Sequence, residues 1–369
     1  MNPAEFETLS ATILVAIFLL AAALGFVMRE TRFCTMGAIS DVVYLQDWGR
    51  VRQWAMAVGV AMLGFTALAL WGGLQVGDVL YASTRLLWVS ALAGGLMFGV
   101  GMVLASGCGA RNLTRLGGGS LKALVVLLVM AVAGFATLKG ITAVARVRWL
   151  DGWQLEFGTL ALLPELLARF AGWSVAASRL WLGLGLGGLL ILLAFNPVRD
   201  AQRSRGALLG GALVGLCVTV AWWLGGRAAE VAEHPQTLEH VYATTYSGRI
   251  EAFSFVTPVA HTLDWLMFFS DSSKVLTWGI ASVLGMVLGS LAHALWRRDF
   301  RWQGFADTRD LARHLLGAAL MGMGGVTAMG CTVGQGISAM SMFSLGSFVA
   351  VTGIVLGAAL TLKRLAALD

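Results

Sequence analysis

Apolar runs of about twenty residues recur along the chain, separated by short polar stretches, at roughly 10–28, 52–73, 87–106, 120–141, 180–196, 205–226, 273–295, 314–330 and 343–362. That length is what an α-helix needs to cross the hydrocarbon core of a bilayer. The pattern therefore predicts an all-α polytopic membrane protein with about nine transmembrane helices. About four shorter segments, near 33–46, 108–118, 253–270 and 331–342, are expected as re-entrant helices that enter the membrane and turn back. The stretch "LLPELLARFAGW" at 162–173 has the alternation of an amphipathic helix lying on the outer interface, with Trp173 as anchor.

Composition narrows the class. The 369 residues are 58% hydrophobic and 12% charged, with a mean hydropathy of +0.78, as expected when the main solvent is lipid. The first ten residues, "MNPAEFETLS", lack the basic region of a cleavable leader, so the first run is expected to stay as a helix of an inner-membrane protein. The net charge of +6 is spread over loops, which argues for membrane topology and against nucleic-acid binding. With the re-entrant segments left uncrossed, one side collects 17 of the Lys and Arg and the other 9. The positive-inside bias then puts the N-terminus in the periplasm and the C-terminus in the cytoplasm.

One phrase occurs twice. "FGVGMVLASGCGARN" around Cys108 maps onto "MGMGGVTAMGCTVGQG" around Cys331 by a shift of 223, which pairs Gly99, Gly101, Ala105, Gly107 and Cys108 with Gly322, Gly324, Ala328, Gly330 and Cys331. The two phrases lie five spans apart, so they are expected to face opposite ways. That is the pattern of an inverted-topology repeat, here 4+1+4, whose broken helices line a site near the midplane. The expected parts are a first repeat over 1–141, an outer amphipathic connection with a linker span over 142–204, and a second, inverted repeat over 205–369. The same shift sets "RFCTMGAISD" over "FVTPVAHTLD", a weaker match in which Cys34 meets Thr257 and Asp41 meets Asp264. Pro258 is expected to break a helix there.

Candidate chemistry centres on thiols. Cys108 and Cys331 sit where a span gives way to a loop in both copies, which favours a functional role over the packing role free cysteine often has. Cys34 follows Arg32 at the end of the first span, where a cation both lowers a thiol pKa and marks a cytoplasmic edge. Cys217, in the middle of a span, reads as packing. Arg111 and Arg115 either contact an anion at the cytoplasmic mouth or serve topology alone. Asp41 and Asp264 either anchor the re-entrant segments or carry a proton. The five histidines lack metal-ligand spacing, so no metal is expected, and no nucleotide-binding loop or hydrolase elbow is present to imply a cofactor or an enzyme.

The motifs "RFCTMGAISD", "GVGMVLASGCGARNLTRLGGGS", "SFVTP" and "GMGGVTAMGCTVGQGISAMSMFSLGS", in this order, resemble those of the YeeE/YedE sulphur-transport family along essentially the whole chain. The resemblance implies an hourglass-like body and import of thiosulfate by a relay of cysteines, here Cys34, Cys108 and Cys331. It departs at Arg111, where small residues are expected before the Arg-Leu-Gly, which leaves open sulfite, other reduced sulfur anions or selenium compounds. Some relatives work with a small TusA-like sulfur-carrier protein on the cytoplasmic side. Two other classes stay open: a membrane thiol oxidoreductase, and a structural subunit of a sulfur-metabolism complex. Beyond membrane lipid and the anion, no protein interface stands out, so a monomer is expected.

Overall fold

The computed structural model describes residues 2–195, 201–235 and 238–367. Fifteen α-helices follow one another: α1 Pro3–Glu30, α2 Thr35–Ser40, α3 Gly49–Leu70, α4 Trp88–Leu104, α5 Gly109–Gly117, α6 Leu121–Lys139, α7 Ile141–Trp149, α8 Leu163–Ala171, α9 Val175–Leu182, α10 Gly188–Ala194, α11 Ala201–Trp223, α12 Val256–Met267, α13 Trp278–Trp296, α14 Thr308–Thr327 and α15 Leu345–Ala366. Two short antiparallel ribbons, Arg85–Leu86 with Leu155–Glu156 and Glu230–Val231 with Val241–Tyr242, are the paired strands among the described residues. The protein is an all-α polytopic membrane protein.

Eight helical segments are long and apolar enough to cross a membrane, and eight of the nine expected runs fall on them. The ninth run, 314–330, falls on α14, whose first two turns carry Arg309, Asp310, Arg313 and His314 and shorten its apolar stretch. Residue 196, the last of the run expected at 180–196, lies outside the described residues. Large apolar side chains face outward at helical spacing, as Leu124, Leu128 and Val132 do on α6 and Leu209, Leu213 and Leu216 on α11. That is the pattern of a helix whose outer solvent is hydrocarbon. Polar atoms inside find partners: Trp222 Nε1 donates to Ser341 Oγ at 3.0 Å and Trp278 Nε1 to the Ala252 carbonyl at 3.3 Å.

The 223-residue shift extends well beyond the cysteine phrases. It carries α2 onto α12, α3 onto α13, α4 onto α14, α5 onto the π-helical turn Gly334–Ala339, and α6 onto α15. The helix ahead of each set, α1 or α11, packs against the α13 or α3 of the other set. Glycines let the two corresponding helices α4 and α14 touch backbone to backbone: a Cβ on Gly94 would lie 2.7 Å from the Gly324 carbonyl oxygen, and one on Gly317 2.6 Å from that of Gly101. As α4 advances from Gly94 to Gly101, its partner runs back from Gly324 to Gly317, so the two helices are antiparallel. Close approach through small residues is how membrane helices gain packing energy when lipid is as apolar as leucine.

Two expectations change. Pro258 lies in the first turn of α12 and starts that helix; its fixed φ and missing N–H suit a first turn. Thr257 does not reproduce the setting of Cys34, because α12 is entered from an extended loop and α2 from the end of α1.

Candidate functional site

The two cysteine phrases fold into the same turn, and Cys34 supplies a third. At the end of α4, Ser106 takes a left-handed φ of 55°, the Gly107 N–H donates to the Met102 carbonyl at 2.8 Å, and Cys108 follows. At the end of α14, Met329 has φ 57°, the Gly330 N–H donates to the Gly325 carbonyl at 2.8 Å, and Cys331 follows. At the end of α1, Arg32 has φ 51°, the Phe33 N–H donates to the Met28 carbonyl at 3.0 Å, and Cys34 follows. Each is a Schellman turn closed by a non-glycine residue. In each, the cysteine opens the next short helix: its carbonyl accepts from the amide four residues on, Ala38 at 3.0 Å, Asn112 at 2.9 Å and Gln335 at 2.8 Å.

The thiols take the place of a capping hydroxyl. Cys34 Sγ accepts from the Gly37 N–H at 3.3 Å and Cys331 Sγ from the Gly334 N–H at 3.4 Å, while Cys108 Sγ meets the Arg111 N–H. Sulfur thus lies at the positive end of each short segment, next to unpaired amides. Cys108 and Cys331 are fully buried, and Cys34 is partly exposed.

Cys108 is within electrostatic reach of both Cys34 and Cys331. Thr332, 2% exposed, turns its hydroxyl to the Cys108 thiol. The amides equivalent under the repeat, Asn112 and Gln335, each spend their NH2 on the adjoining turn, on the Gly107 and Ala328 carbonyls at 2.9 and 2.6 Å. Their oxygens remain buried and unpaired. A chain of weak donors and unpaired polar atoms in a low-dielectric core is costly unless something visits it. Cys217, partly buried on α11, packs on the core.

What fills the space beside each thiol differs. The missing Cβ of Gly37 leaves room for the Arg50 guanidinium next to Cys34, and Arg50 also pairs with Asp41 at 3.3 Å. Arg115 lies near Cys34 and donates to the Ser106 carbonyl at 3.2 Å. Arg32, by contrast, is exposed on its turn. Arg29 ties α1 to α5 and to the loop after α13, through the Thr114 carbonyl at 3.1 Å and Asp299 at 2.9 Å. These arginines mark one end of the protein. Sequence reasoning missed Arg50, because its link to Cys34 depends on how α2 folds back on α3.

At the other end, a cavity of about 470 Å³ is lined by Lys139, Arg146, Tyr246, Glu251, Thr257 and His261 among others. Lys139 Nζ donates to Tyr246 Oη at 2.9 Å, and Arg146 pairs with Asp151 at 3.1 Å. His261 stacks on the Tyr246 ring at 4.0 Å, and its buried Nδ1 has no partner. Asp264 is neutralised by Lys274 at 2.6 Å, which supports the anchoring role. A neighbouring cavity of about 280 Å³ includes Arg85 and Gln335, and Tyr81 and Met329 line both. Both cavities therefore reach the turn that carries Cys331. A third cavity, about 330 Å³ and wholly apolar, lies between α2 and α15 and includes Thr332.

Comparison with known proteins agrees in kind. The chain is 26% identical over 348 residues to the thiosulfate transporter TsuA of Escherichia coli (strain K12), covering 91% of this chain and 90% of that protein. It is 24% identical over 341 residues to the thiosulfate transporter TsuA of Spirochaeta thermophila, covering 90% and 93%. The family described as Sulphur transport matches residues 30–360, a range that holds all three cysteine turns, and the chain belongs to that family.

Proposed function

We propose that the protein imports thiosulfate or a related sulfur-containing anion across the inner membrane, along the line from the polar cavities past Cys331, Cys108 and Cys34 to the arginine-rich end. The observation that carries this reading is the threefold use of one turn, each leading into a cysteine, with the Cys34 and Cys331 thiols both within electrostatic reach of Cys108. By the positive-inside bias the arginine-rich end is cytoplasmic. The N-terminus is then periplasmic, the C-terminus cytoplasmic, and the halves α1–α6 and α11–α15 are inverted copies joined by the span of α9 and α10.

The physics of permeation favours thiols here. A dianion cannot enter a low-dielectric core without donors. A fixed cation at mid-path would bind it too firmly, since conduction requires binding strong enough to admit the ion and weak enough to release it. Thiols, a threonine hydroxyl and amide N–H groups are neutral donors that meet both needs, and sulfur is polarisable enough to face the soft end of the substrate. Lys139 concentrates the anion at the outer cavity, where Asp151 holds Arg146, and Arg50, Arg111 and Arg115 draw it from Cys108 and Cys34 at the inner mouth.

The test is uptake of labelled thiosulfate, sulfite and sulfate by the purified protein in proteoliposomes. Saturable uptake of one of the sulfur anions supports transport and names the ion. No uptake of any of them, with a folded protein, favours a structural subunit. Turnover that needs a reductant and forms a disulfide between two of the three cysteines favours a thiol oxidoreductase.

A further inference from the structure

The third position after each cysteine is where the three turns diverge. At Cys108 it is Arg111, at Cys34 it is Gly37 with Arg50 in the vacant space, and at Cys331 it is Gly334. Beside Gly334 the space is taken by two hydroxyls from distant parts of the chain. A Cβ on Gly334 would lie 2.8 Å from Ser254 Oγ and 2.9 Å from Tyr81 Oη. The Gly334 N–H itself points at Cys331 Sγ, 3.4 Å away. Two hydroxyls therefore converge on a spot where only glycine leaves room, beside the amide that caps the Cys331 thiol.

The setting gives the spot access. Tyr81 lines both outer cavities, of about 470 and 280 Å³, and Ser254 lines the larger. The Tyr81 hydroxyl meets that of Ser254 and lies within electrostatic reach of Cys331. Next along stands Thr332, 2% exposed, its hydroxyl turned to the Cys108 thiol.

We propose that Tyr81, Ser254 and Gly334 form the outer cradle that selects the substrate: the two hydroxyls donate to the oxygens of a tetrahedral sulfur oxyanion, and its terminal, non-oxygen sulfur faces Cys331. The proposal rests on the transport reading above and adds its selectivity. An anion with oxygens at one end and a soft sulfur at the other satisfies both halves of the cradle. Sulfate offers the thiol only a further oxygen, and is the poorer fit. Tyr81 is a binding residue here, so its hydroxyl governs KM more than the maximal rate.

The experiment uses full-length protein in proteoliposomes and measures initial thiosulfate uptake, with sulfate as competitor, for wild type, Tyr81→Phe, Ser254→Ala, Gly334→Ala and Cys331→Ala, alongside melting curves in detergent. Tyr81→Phe keeps the ring and is expected to raise KM about tenfold, the loss of one hydrogen bond to a charged group, with the maximal rate within about twofold. Ser254→Ala shifts KM in the same direction. Gly334→Ala fills the cradle and abolishes saturation, and sulfate competes only in large excess. Unchanged KM in both Tyr81→Phe and Ser254→Ala, while Cys331→Ala is inactive, would overturn the cradle and leave the path standing. Sulfate competing as well as unlabelled thiosulfate would also overturn it. Wild-type liposomes that take up no thiosulfate would overturn the transport reading itself. Should Tyr81→Phe melt early, Ser254→Ala decides.

Discussion

Ser106 and Met329, 223 residues apart, adopt the same left-handed backbone, φ 55° and 57°, two residues before their cysteines. Neither is glycine, so each stores strain of about 1–2 kcal/mol that the surrounding helices enforce. Met329 is 49% exposed, so little packing is lost on changing it. Met329→Gly should hold or raise the melting temperature, and Met329→Val, branched at Cβ, should lower it and reduce uptake. Equal melting of the two variants would remove backbone strain from the account.

The antiparallel contact of α4 with α14 makes a sharp prediction about methyl groups. A Cβ on Gly94 would lie 2.5 Å from the Ala328 nitrogen, and one on Gly324 2.6 Å from the Gly94 carbonyl oxygen. Gly94→Ala and Gly324→Ala should each force the helices apart and cost several kcal/mol, as overpacked interfaces do at about 1–3 kcal/mol or more. Gly185→Ala and Gly188→Ala, where nothing lies within 4 Å, serve as controls and should melt as wild type does.

Charge at the outer cavity should act over distance. Lys139, bonded to the neutral Tyr246 hydroxyl, faces the cavity that reaches Cys331, so KM for thiosulfate should rise with ionic strength, as screened attraction weakens within a Debye length of about 10 Å at 0.1 M salt. In Lys139→Gln, KM should be higher at low salt and flatter with salt. A salt response as steep as wild type would assign the attraction elsewhere.

Glu251, in the loop ahead of α12, lines the same cavity, and burial pushes its carboxyl above the usual value of 4.5, against the pull of Ser247. Its folded-state pKa is thus raised, so the folded protein keeps a proton at pH values where the unfolded chain has lost it. The charged carboxylate lowers stability at pH above the folded value, and acidification through that value restores it. Glu251→Gln should therefore melt higher than wild type near neutral pH, with the gap closing as pH falls toward 4.5. A gap independent of pH would mean that its charge is not the cause.

Much of this was legible in the sequence because lipid imposes a simple rule: a run of about twenty apolar residues must be helical to satisfy its backbone. The glycine-cysteine phrases pointed to the repeat, since Gly101 and Gly324 within them are fixed by backbone contact between α4 and α14. The third turn was hidden, because Phe33 stands where Gly107 and Gly330 follow the left-handed residue of the other two. Cys34 stood out by its place after Arg32 at the end of the first span and by family resemblance, not by its turn. Tyr81 and Arg50 left no local signal, since each reaches its site through tertiary folding, from a loop or a neighbouring helix; Ser254 stood inside the SFVTP motif, but nothing local shows that it faces Gly334. At α14 the charged turn Arg309–Arg313 precedes the apolar run 314–330 and shortens what can lie in lipid, so length and composition alone single out eight of the nine.

The central claim is that Cys331, Cys108 and Cys34 serve one path in series, and initial uptake of labelled thiosulfate by single-cysteine variants in proteoliposomes tests it most directly. Cys331→Ala, Cys108→Ala and Cys34→Ala should each lose most of the uptake rate at wild-type melting temperature, with Cys217→Ala unaffected. Full uptake in any two of the first three, or loss in Cys217→Ala alone, would contradict the account.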